Sequence, residues 1–179
     1  VKFHNGEKWD AQAMKANIER ITNPETKSKQ FANYFSGLQS VNVVDSDTVE
    51  LTYEEARPLL LLGLASSGSG WLSPKALNDS ENKKSTEKFV GTGPWVLEEE
   101  DYQSRVVFKR NPDYSWGPDY MDQEGPPDIE KVVWRFIPED QTRLTALMEE
   151  EVDIVTNIPP SSVSKITNNE QFDYLVSTR

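Results

Sequence analysis

The chain has 179 residues, of which 36% are hydrophobic and 27% are charged, and its mean hydropathy of -0.67 is typical of one or two soluble globular domains. Acidic residues outnumber basic ones by 30 to 19, and the resulting net charge of -11 would repel nucleic acids and anionic lipid surfaces. No apolar run approaches the roughly 20 residues that a membrane-spanning helix needs, so we expect neither a nucleic acid partner nor a transmembrane segment.

The chain contains no cysteine, which excludes a disulfide framework, thiolate zinc sites and cysteine nucleophiles. It opens on Val1, without an initiator methionine and without a charged leader followed by an apolar stretch. We therefore interpret both ends as cut and expect any signal peptide to lie outside this fragment.

The first third of the chain predicts two helices. Asp10 is a suitable N-cap for a helix over residues 11–21, in which apolar residues recur at helical spacing. A second short helical pattern follows, and we expect it to close near Ser40. Its apolar positions are Phe31, Tyr34, Phe35 and Leu38.

A hairpin and a small-residue loop are predicted next. The β-branched runs 41–44 and 48–53 flank an Asp-Ser-Asp turn and indicate an antiparallel hairpin. Pro58 precedes an apolar helix over residues 59–64, which leads into a Ser/Gly loop over residues 66–70. Such a loop lets its backbone approach a ligand closely.

The second half of the chain mixes strands and helices. We place a boundary near Lys88 and predict strands over the segments 95–98, 105–110, 131–137, 152–155 and 172–176. Asp140 is expected to cap one helix and Ser161 another. The predicted fold class is therefore α/β, with a mixed sheet and flanking helices.

Four segments resemble, in their order and spacing, the family 5 solute-binding proteins, which include the peptide- and nickel-binding components of bacterial ABC importers. The most recognisable is Gly91-Thr92-Gly93-Pro94-Trp95, where we expect both glycines to adopt unusual φ values. The others are Val1-Lys2-Phe3-His4-Asn5-Gly6 with Trp9-Asp10-Ala11, Arg110-Asn111-Pro112-Asp113-Tyr114, and the run from Ile137-Pro138 through Thr142-Arg143 and Glu151-Val152-Asp153-Ile154 to Ile158-Pro159-Pro160.

The resemblance implies a fold like that of type II periplasmic binding proteins. Because members are roughly three times longer, it also implies a fragment that lacks the second lobe. Residues 1–88 would be a small family-specific subdomain and residues 89–179 part of the first ligand-binding lobe. The implied protein is extracytoplasmic, periplasmic or a cell-surface lipoprotein, and we expect a monomer that uses no cofactor. It would capture peptides, nickel or nickel chelates and deliver them to a membrane permease.

Candidate ligand contacts follow from where the family places its cleft. Hydroxyls and free backbone groups in the Ser/Gly loop could hydrogen-bond a ligand, and aromatic side chains could pack against it. Members that resemble the nickel-chelate binders carry an arginine in this loop, whereas this chain has Ser67, which favours peptide. The candidates are Phe31, Tyr34, Ser66, Ser67, Gly68, Trp71, Asn157 and Ile158.

No residue pattern indicates catalysis or metal binding. His4 is the single histidine, and one histidine without partners makes a poor metal site. The acidic stretch 118–128 lacks the ligand spacing of an EF-hand. A secreted glycan hydrolase remains the alternative, because carboxylates lie near tryptophans, but there is no nucleophile elbow, metal-binding histidine pair or phosphate loop. We therefore expect a binding protein and not an enzyme.

Overall fold

The computed structural model describes residues 1–66, 70–77, 85–120 and 124–175. Short helices alternate with short strands, which confirms the predicted mixed α/β class. The elements are α1 (Ala11–Thr22), α2 (Lys29–Ala32), β1 (Leu38–Val43), β2 (Val49–Tyr53), α3 (Leu60–Leu64), α4 (Pro74–Leu77), α5 (Ser85–Lys88), β3 (Trp95–Asp101), β4 (Arg105–Arg110), β5 (Lys131–Arg135), α6 (Asp140–Met148) and α7 (Val163–Thr167).

The described strands form two sheets, one of order β1-β2 and one of order β3-β4-β5. The chain divides into two compact units. Unit 1 contains Val1–Tyr102 and Val106–Trp134, and unit 2 contains Gln103–Arg105 and Arg135–Arg179. The assignment of residues 1–88 and 89–179 to two family subdomains stays a prediction.

Helix α1 begins where the sequence predicts. Asp10 has extended backbone angles, and its Oδ1 accepts a hydrogen bond of 2.9 Å from the backbone N–H of Ala13. The helix then buries one face, which carries Ala13, Asn17, Ile18 and Ile21. At its end the N–H of Asn23 donates to the carbonyl of Glu19, and Pro24 begins a 3-10 turn.

We expect Asp10→Ala to lower the free energy of unfolding by about 1 kcal/mol, because one N–H of the first turn loses its acceptor. Asp10→Asn is the matched control, since its side-chain oxygen can accept the same bond and should keep most of the stability. Urea unfolding of both variants measures the difference. Equal losses in the two variants would show that the carboxylate contributes by something other than capping.

The second predicted helix is shorter than its apolar spacing indicates. Helix α2 and a 3-10 turn over Asn33–Phe35 end before Gly37, whose φ of 79° lies in the left-handed region. Leu38, expected as the last apolar position of the helix, is instead the first residue of β1. The glycine reverses the chain at this point, so the prediction of a helix through Ser40 is wrong.

Strands β1 and β2 form the predicted antiparallel hairpin, with Val41 opposite Leu51 and Val43 opposite Val49. In the turn, the Asp45 carboxylate accepts a bond of 2.8 Å from the N–H of Asp47. This bond is the main reason why the pKa of Asp45 lies below its usual value, and a hydrogen bond with the Thr48 side chain is the second. Val41 and Leu51 pack against the core of unit 1, which Ile18, Ile21 and Phe35 form.

The backbone carbonyls of the Gly91-Thr92-Gly93-Pro94 segment accept hydrogen bonds from His4 and Trp116. His4 donates from its N–H to Gly91 O at 2.9 Å and from Nε2 to Gly93 O at 3.0 Å. The indole of Trp116 donates to Thr92 O at 2.9 Å. Neither glycine has a positive φ, and a Cβ at either would meet nothing closer than 3.8 Å, so the prediction of unusual φ values is wrong.

In the second sheet, Lys131 of β5 pairs with Glu98 of β3 at 2.9 Å. The hydrogen bond from Lys131 is the main cause of a Glu98 pKa below its usual value. Strands β3 and β4 confirm the strands predicted over residues 95–98 and 105–110 and are neighbours in the sheet, whereas β5 ends at Arg135, two residues earlier than predicted.

Unit 2 departs from the prediction at two helix caps and two predicted strands. Helix α6 begins at Asp140, which pairs with Arg143, and Glu139 occupies the N-cap position without a side-chain bond. Helix α7 follows a 3-10 turn over Pro160–Ser162, with Ser162 in the cap position expected for Ser161. In the described residues 124–175, the segments 152–155 and 172–175 are not strands; residue 176 lies outside the described ranges.

Candidate functional site

Three of the predicted contact residues pack around one core. Phe31 lies in α2, Tyr34 in the 3-10 turn that follows, and Trp71 in the segment before α4. All three are half-buried and contact the cluster of Ile18, Ile21 and Phe35. The rings of Phe31 and Tyr34 stack, with centroids 6.4 Å apart and planes at 30°. We call Phe31, Tyr34 and Trp71 the aromatic group.

Trp71 is held from a second side by aromatic contacts. Its ring centroid lies 5.4 Å from that of Trp9, with the planes tilted by 48°. Trp9 in turn meets the edge of Phe3 at 5.8 Å, and Phe3 is buried. Tilted and edge-to-face pairs of this kind are the favoured arrangements of aromatic rings. The Trp71 ring is therefore fixed in orientation while part of it remains accessible.

The start of the Ser/Gly loop follows directly from α3. Ser66 is half-buried, and its backbone N–H donates to Gly63 O at 3.2 Å, so it prolongs the end of the helix. Ser67 and Gly68, also predicted as ligand contacts, lie outside the described residues. Gly70, the next described residue, is exposed and directly precedes Trp71 of the aromatic group.

Close packing fixes α3 against the aromatic group. A Cβ at Gly63 would lie 2.5 Å from Cγ and Cδ1 of the Tyr34 ring, so only a glycine lets the helix come this near. Leu60 and Leu64 of the same helix contact the core cluster. The loop therefore leaves the core at a position that Tyr34 and Gly63 determine together.

Asn157 and Ile158 belong to unit 2. Asn157 is exposed, has a φ of 59°, and its carbonyl accepts a bond of 3.2 Å from Arg143. Arg143 also donates to the carbonyls of Ile137 and Pro138, at 2.7 and 2.9 Å. Ile158 is half-buried. One guanidinium thus holds the backbone of Asn157, and the role of both residues as ligand contacts stays a prediction.

The side chains with a shifted pKa are not among the predicted ligand contacts. Burial lowers the pKa of Arg20 and raises that of Tyr53. Across the described ranges, no three His, Cys, Asp or Glu side chains come together as a metal site would require. Of the helices in those ranges, none combines the length and hydrophobicity of a membrane span.

The sequence prediction missed Asn17. Its side chain is fully buried in α1 and donates from Nδ2 to Ala13 O at 2.9 Å and to Leu72 O at 2.7 Å. Its Oδ1 accepts a bond of 3.0 Å from the N–H of Leu72. A signal was present in the sequence, since position 17 lies on the same helical face as Met14, Ile18 and Ile21, where a polar residue needs a buried partner.

Comparison with known proteins places this arrangement in a family. The family model described as bacterial extracellular solute-binding proteins, family 5 Middle, matches residues 1–179. The glutathione-binding protein GsiB of Salmonella paratyphi A is 29% identical over 177 residues, which cover 99% of this chain and 33% of GsiB. GsiB of Escherichia coli K12 is 26% identical over the same length. The chain thus spans about a third of the length of these curated relatives.

Solved structures share the fold. NikA from Brucella suis, in complex with Fe(III)-EDTA, matches with a TM-score of 0.75 and 28% identity over 94% of this chain and 33% of NikA. AgaA from A. tumefaciens R10, in complex with agropinic acid, matches with a TM-score of 0.83 and 26% identity over 95% of this chain and 33% of AgaA. With the family match over its whole length, this chain belongs to the bacterial extracellular solute-binding proteins of family 5.

Proposed function

We propose that this chain forms part of the ligand-binding lobe of a solute-binding protein that captures short peptides outside the cytoplasmic membrane and delivers them to an ABC permease. The family match over residues 1–179 is the observation that carries the proposal. Glutathione is a tripeptide, so the naming of the relatives as glutathione-binding proteins supports a peptide ligand. The protein acts by binding, as a periplasmic protein or a cell-surface lipoprotein, and works as a monomer.

The aromatic group supports this function physically. Phe31, Tyr34 and Trp71 are half-buried, so each ring is held by the core and also keeps an accessible part. Ser66 stands where α3 ends, which brings polar backbone and hydroxyl groups to the same part of unit 1. Ligand pockets combine apolar walls with a few such polar groups. Ser67 and Gly68 are further proposed contacts in unit 1, and Asn157 and Ile158 are proposed contacts in unit 2.

A two-lobed protein would bind by closing. The ligand shifts the equilibrium toward the closed form because it contacts both lobes only there. The permease then recognises the closed form. This mechanism requires shape and hydrogen bonding and no bond-making chemistry. The glycan hydrolase that the sequence left as an alternative finds no support in the family or in the GsiB relatives.

Calorimetry on the full-length native protein tests the proposal, with reduced glutathione, the tetrapeptide Ser-Thr-Ser-Ala and Ni(II)-L-histidine as probes. We expect a peptide probe to bind with a Kd that is roughly micromolar or tighter. Residues 1–179 alone should bind it about a hundredfold more weakly, because many of the cleft contacts would be missing.

A matched pair of variants locates the site. Trp71→Leu in the full-length protein should weaken peptide binding on the order of tenfold, because the ligand loses an aromatic contact. Trp116→Leu is the control, since Trp116 is also half-buried but packs against Tyr114, with centroids 5.2 Å apart. A protein that binds the nickel chelate and neither peptide probe would refute the peptide proposal. Turnover of chromogenic glycosides would refute a function by binding only.

A further inference from the structure

The backbone of Leu72 is held on both sides by one distant side chain. Asn17 accepts from the Leu72 N–H at 3.0 Å and donates to the Leu72 carbonyl at 2.7 Å, across 55 residues of sequence. The side-chain amide of Asn17 thus pairs with both the N–H and the carbonyl of Leu72, as the backbone of a neighbouring strand would. The remaining donor of Asn17 bonds Ala13 O within α1, so both amide protons have acceptors.

These bonds fix the orientation of the Asn17 amide. A backbone N–H can only donate and a carbonyl can only accept, so the oxygen must face the N–H of Leu72 and the nitrogen must face the two carbonyls. Removal of the fully buried Asn17 side chain would leave the N–H and the carbonyl of Leu72 without these partners. Other groups or water would then have to satisfy them, and the segment would lose this point of attachment.

Leu72 directly follows Trp71 of the aromatic group. The next residue, Ser73, is fully buried and is anchored separately, since its N–H donates to Val90 O at 2.9 Å and its hydroxyl accepts from Asn5 Nδ2 at 2.9 Å. The anchor at Ser73 lies two residues beyond Trp71. Asn17 therefore provides the fixed point nearest to Trp71 on its C-terminal side.

We infer that Asn17 is a positioning residue: by clamping Leu72 it fixes the backbone that carries Trp71, and so sets the affinity of the aromatic group for its peptide ligand. Asn17 makes no contact with the ligand in this scheme. The inference rests on the proposed function and deepens it, because it assigns the placement of Trp71 to a buried amide of α1.

Hydrogen exchange of the ligand-free, full-length protein tests the clamp. In Asn17→Ala we expect the Leu72 amide to exchange at least about tenfold faster, while the amides of Ile18 and Ile21 in α1 keep their rates. Asn111→Ala is the matched control, since Asn111 is also a buried asparagine, but its side chain bonds Gly93 O at 3.3 Å and the N–H of Asp113 at 3.2 Å instead of Leu72. An unchanged Leu72 rate in Asn17→Ala would overturn the inference.

A double-mutant cycle tests the consequence for binding. At a temperature where all variants are folded, Asn17→Ala should raise the Kd for the peptide probe on the order of tenfold, whereas Asn111→Ala leaves it unchanged. In a Trp71→Leu background the further effect of Asn17→Ala should vanish, because Asn17 acts through Trp71. A purely structural role would lower the melting temperature without this coupling.

The outcomes are distinguishable. Additive effects of Asn17→Ala and Trp71→Leu on the Kd would overturn the positioning role while the peptide-binding function stands. A wild-type protein that binds neither peptide probe contradicts the proposed function, and the exchange rate at Leu72 then decides whether the clamp exists. Faster exchange at Leu72 with unchanged rates at Ile18 and Ile21, together with the disappearance of the Asn17→Ala effect on the Kd in the Trp71→Leu background, supports the inference.

Discussion

Replacing Phe35 by alanine is expected to lower the free energy of unfolding by about 3–5 kcal/mol, a large share of the total stability of a domain of ordinary size. The Phe35 side chain is 3% exposed and lies with Ile18 and Ile21 at the centre of the core cluster. Helix α1, the β1-β2 hairpin and α3 all contribute residues around it. These elements cannot all move inward to fill the space, so a cavity remains and its cost adds to the lost burial.

Urea unfolding of the full-length protein measures this loss as a lower midpoint at an unchanged slope. Tyr102→Ala is the matched control, because it also removes an aromatic ring, but one that is 80% exposed in unit 1. We expect this control to stay within about 0.5 kcal/mol of the wild type. A loss below about 1 kcal/mol in Phe35→Ala would mean that the cluster is not the core of unit 1.

Local signals predicted the elements whose geometry is decided locally. Asp10 caps α1 because its side chain reaches the first turn of its own helix, which a sequence pattern can reveal. The first hairpin followed from two β-branched runs around a turn in which Asp45 bonds the N–H of Asp47. Both features involve residues only a few positions apart, so spacing was sufficient to predict them.

Predictions failed where the local structure depends on a hydrogen-bond partner far along the chain or on one backbone dihedral angle. Residues 152–155 have a β-branched pattern, but a strand also needs a neighbour for its backbone groups, and Ile154 is 82% exposed. Gly37, whose neighbours continue the helical spacing, adopts the left-handed conformation that ends the second helix. Gly91 and Gly93, which were expected to need that freedom, do not use it.

The sequence names candidate side chains for the site, whose role in binding stays a prediction, but it does not reveal the residue that supports their backbone. Phe31, Tyr34 and Trp71 could be named from aromatic type and position, and the structure packs them around one cluster. The helical face of Asn17 indicated a buried partner, but the partner itself could not be assigned, because Leu72 lies 55 residues away and contributes only backbone atoms. A sequence shows which side chains are present, but backbone partners become visible only once the chain has folded.

The approach of α3 to Tyr34 gives the second large effect. We expect Gly63→Val to lower the free energy of unfolding by about 2–3 kcal/mol. In an exposed helix this change would gain a few tenths of a kcal/mol, since valine is a better helix former than glycine. Here the added Cβ would meet Cγ and Cδ1 of Tyr34 at 2.5 Å and its Cβ at 2.9 Å, so the clash outweighs the gain.

A second substitution tests whether the contact with Tyr34 causes the loss of stability in Gly63→Val. These Tyr34 atoms lie at the base of the side chain, so rotation of the ring cannot relieve the overlap and the helix itself must shift. Tyr34→Ala removes the ring but keeps the Cβ at 2.9 Å, so in that background Gly63→Val should cost at least about 1 kcal/mol less than in the wild type. Gly125→Val is the control, because a Cβ there meets nothing within 4 Å. An equal cost of Gly63→Val with and without the Tyr34 ring would show that backbone strain, and not this contact, requires glycine at position 63.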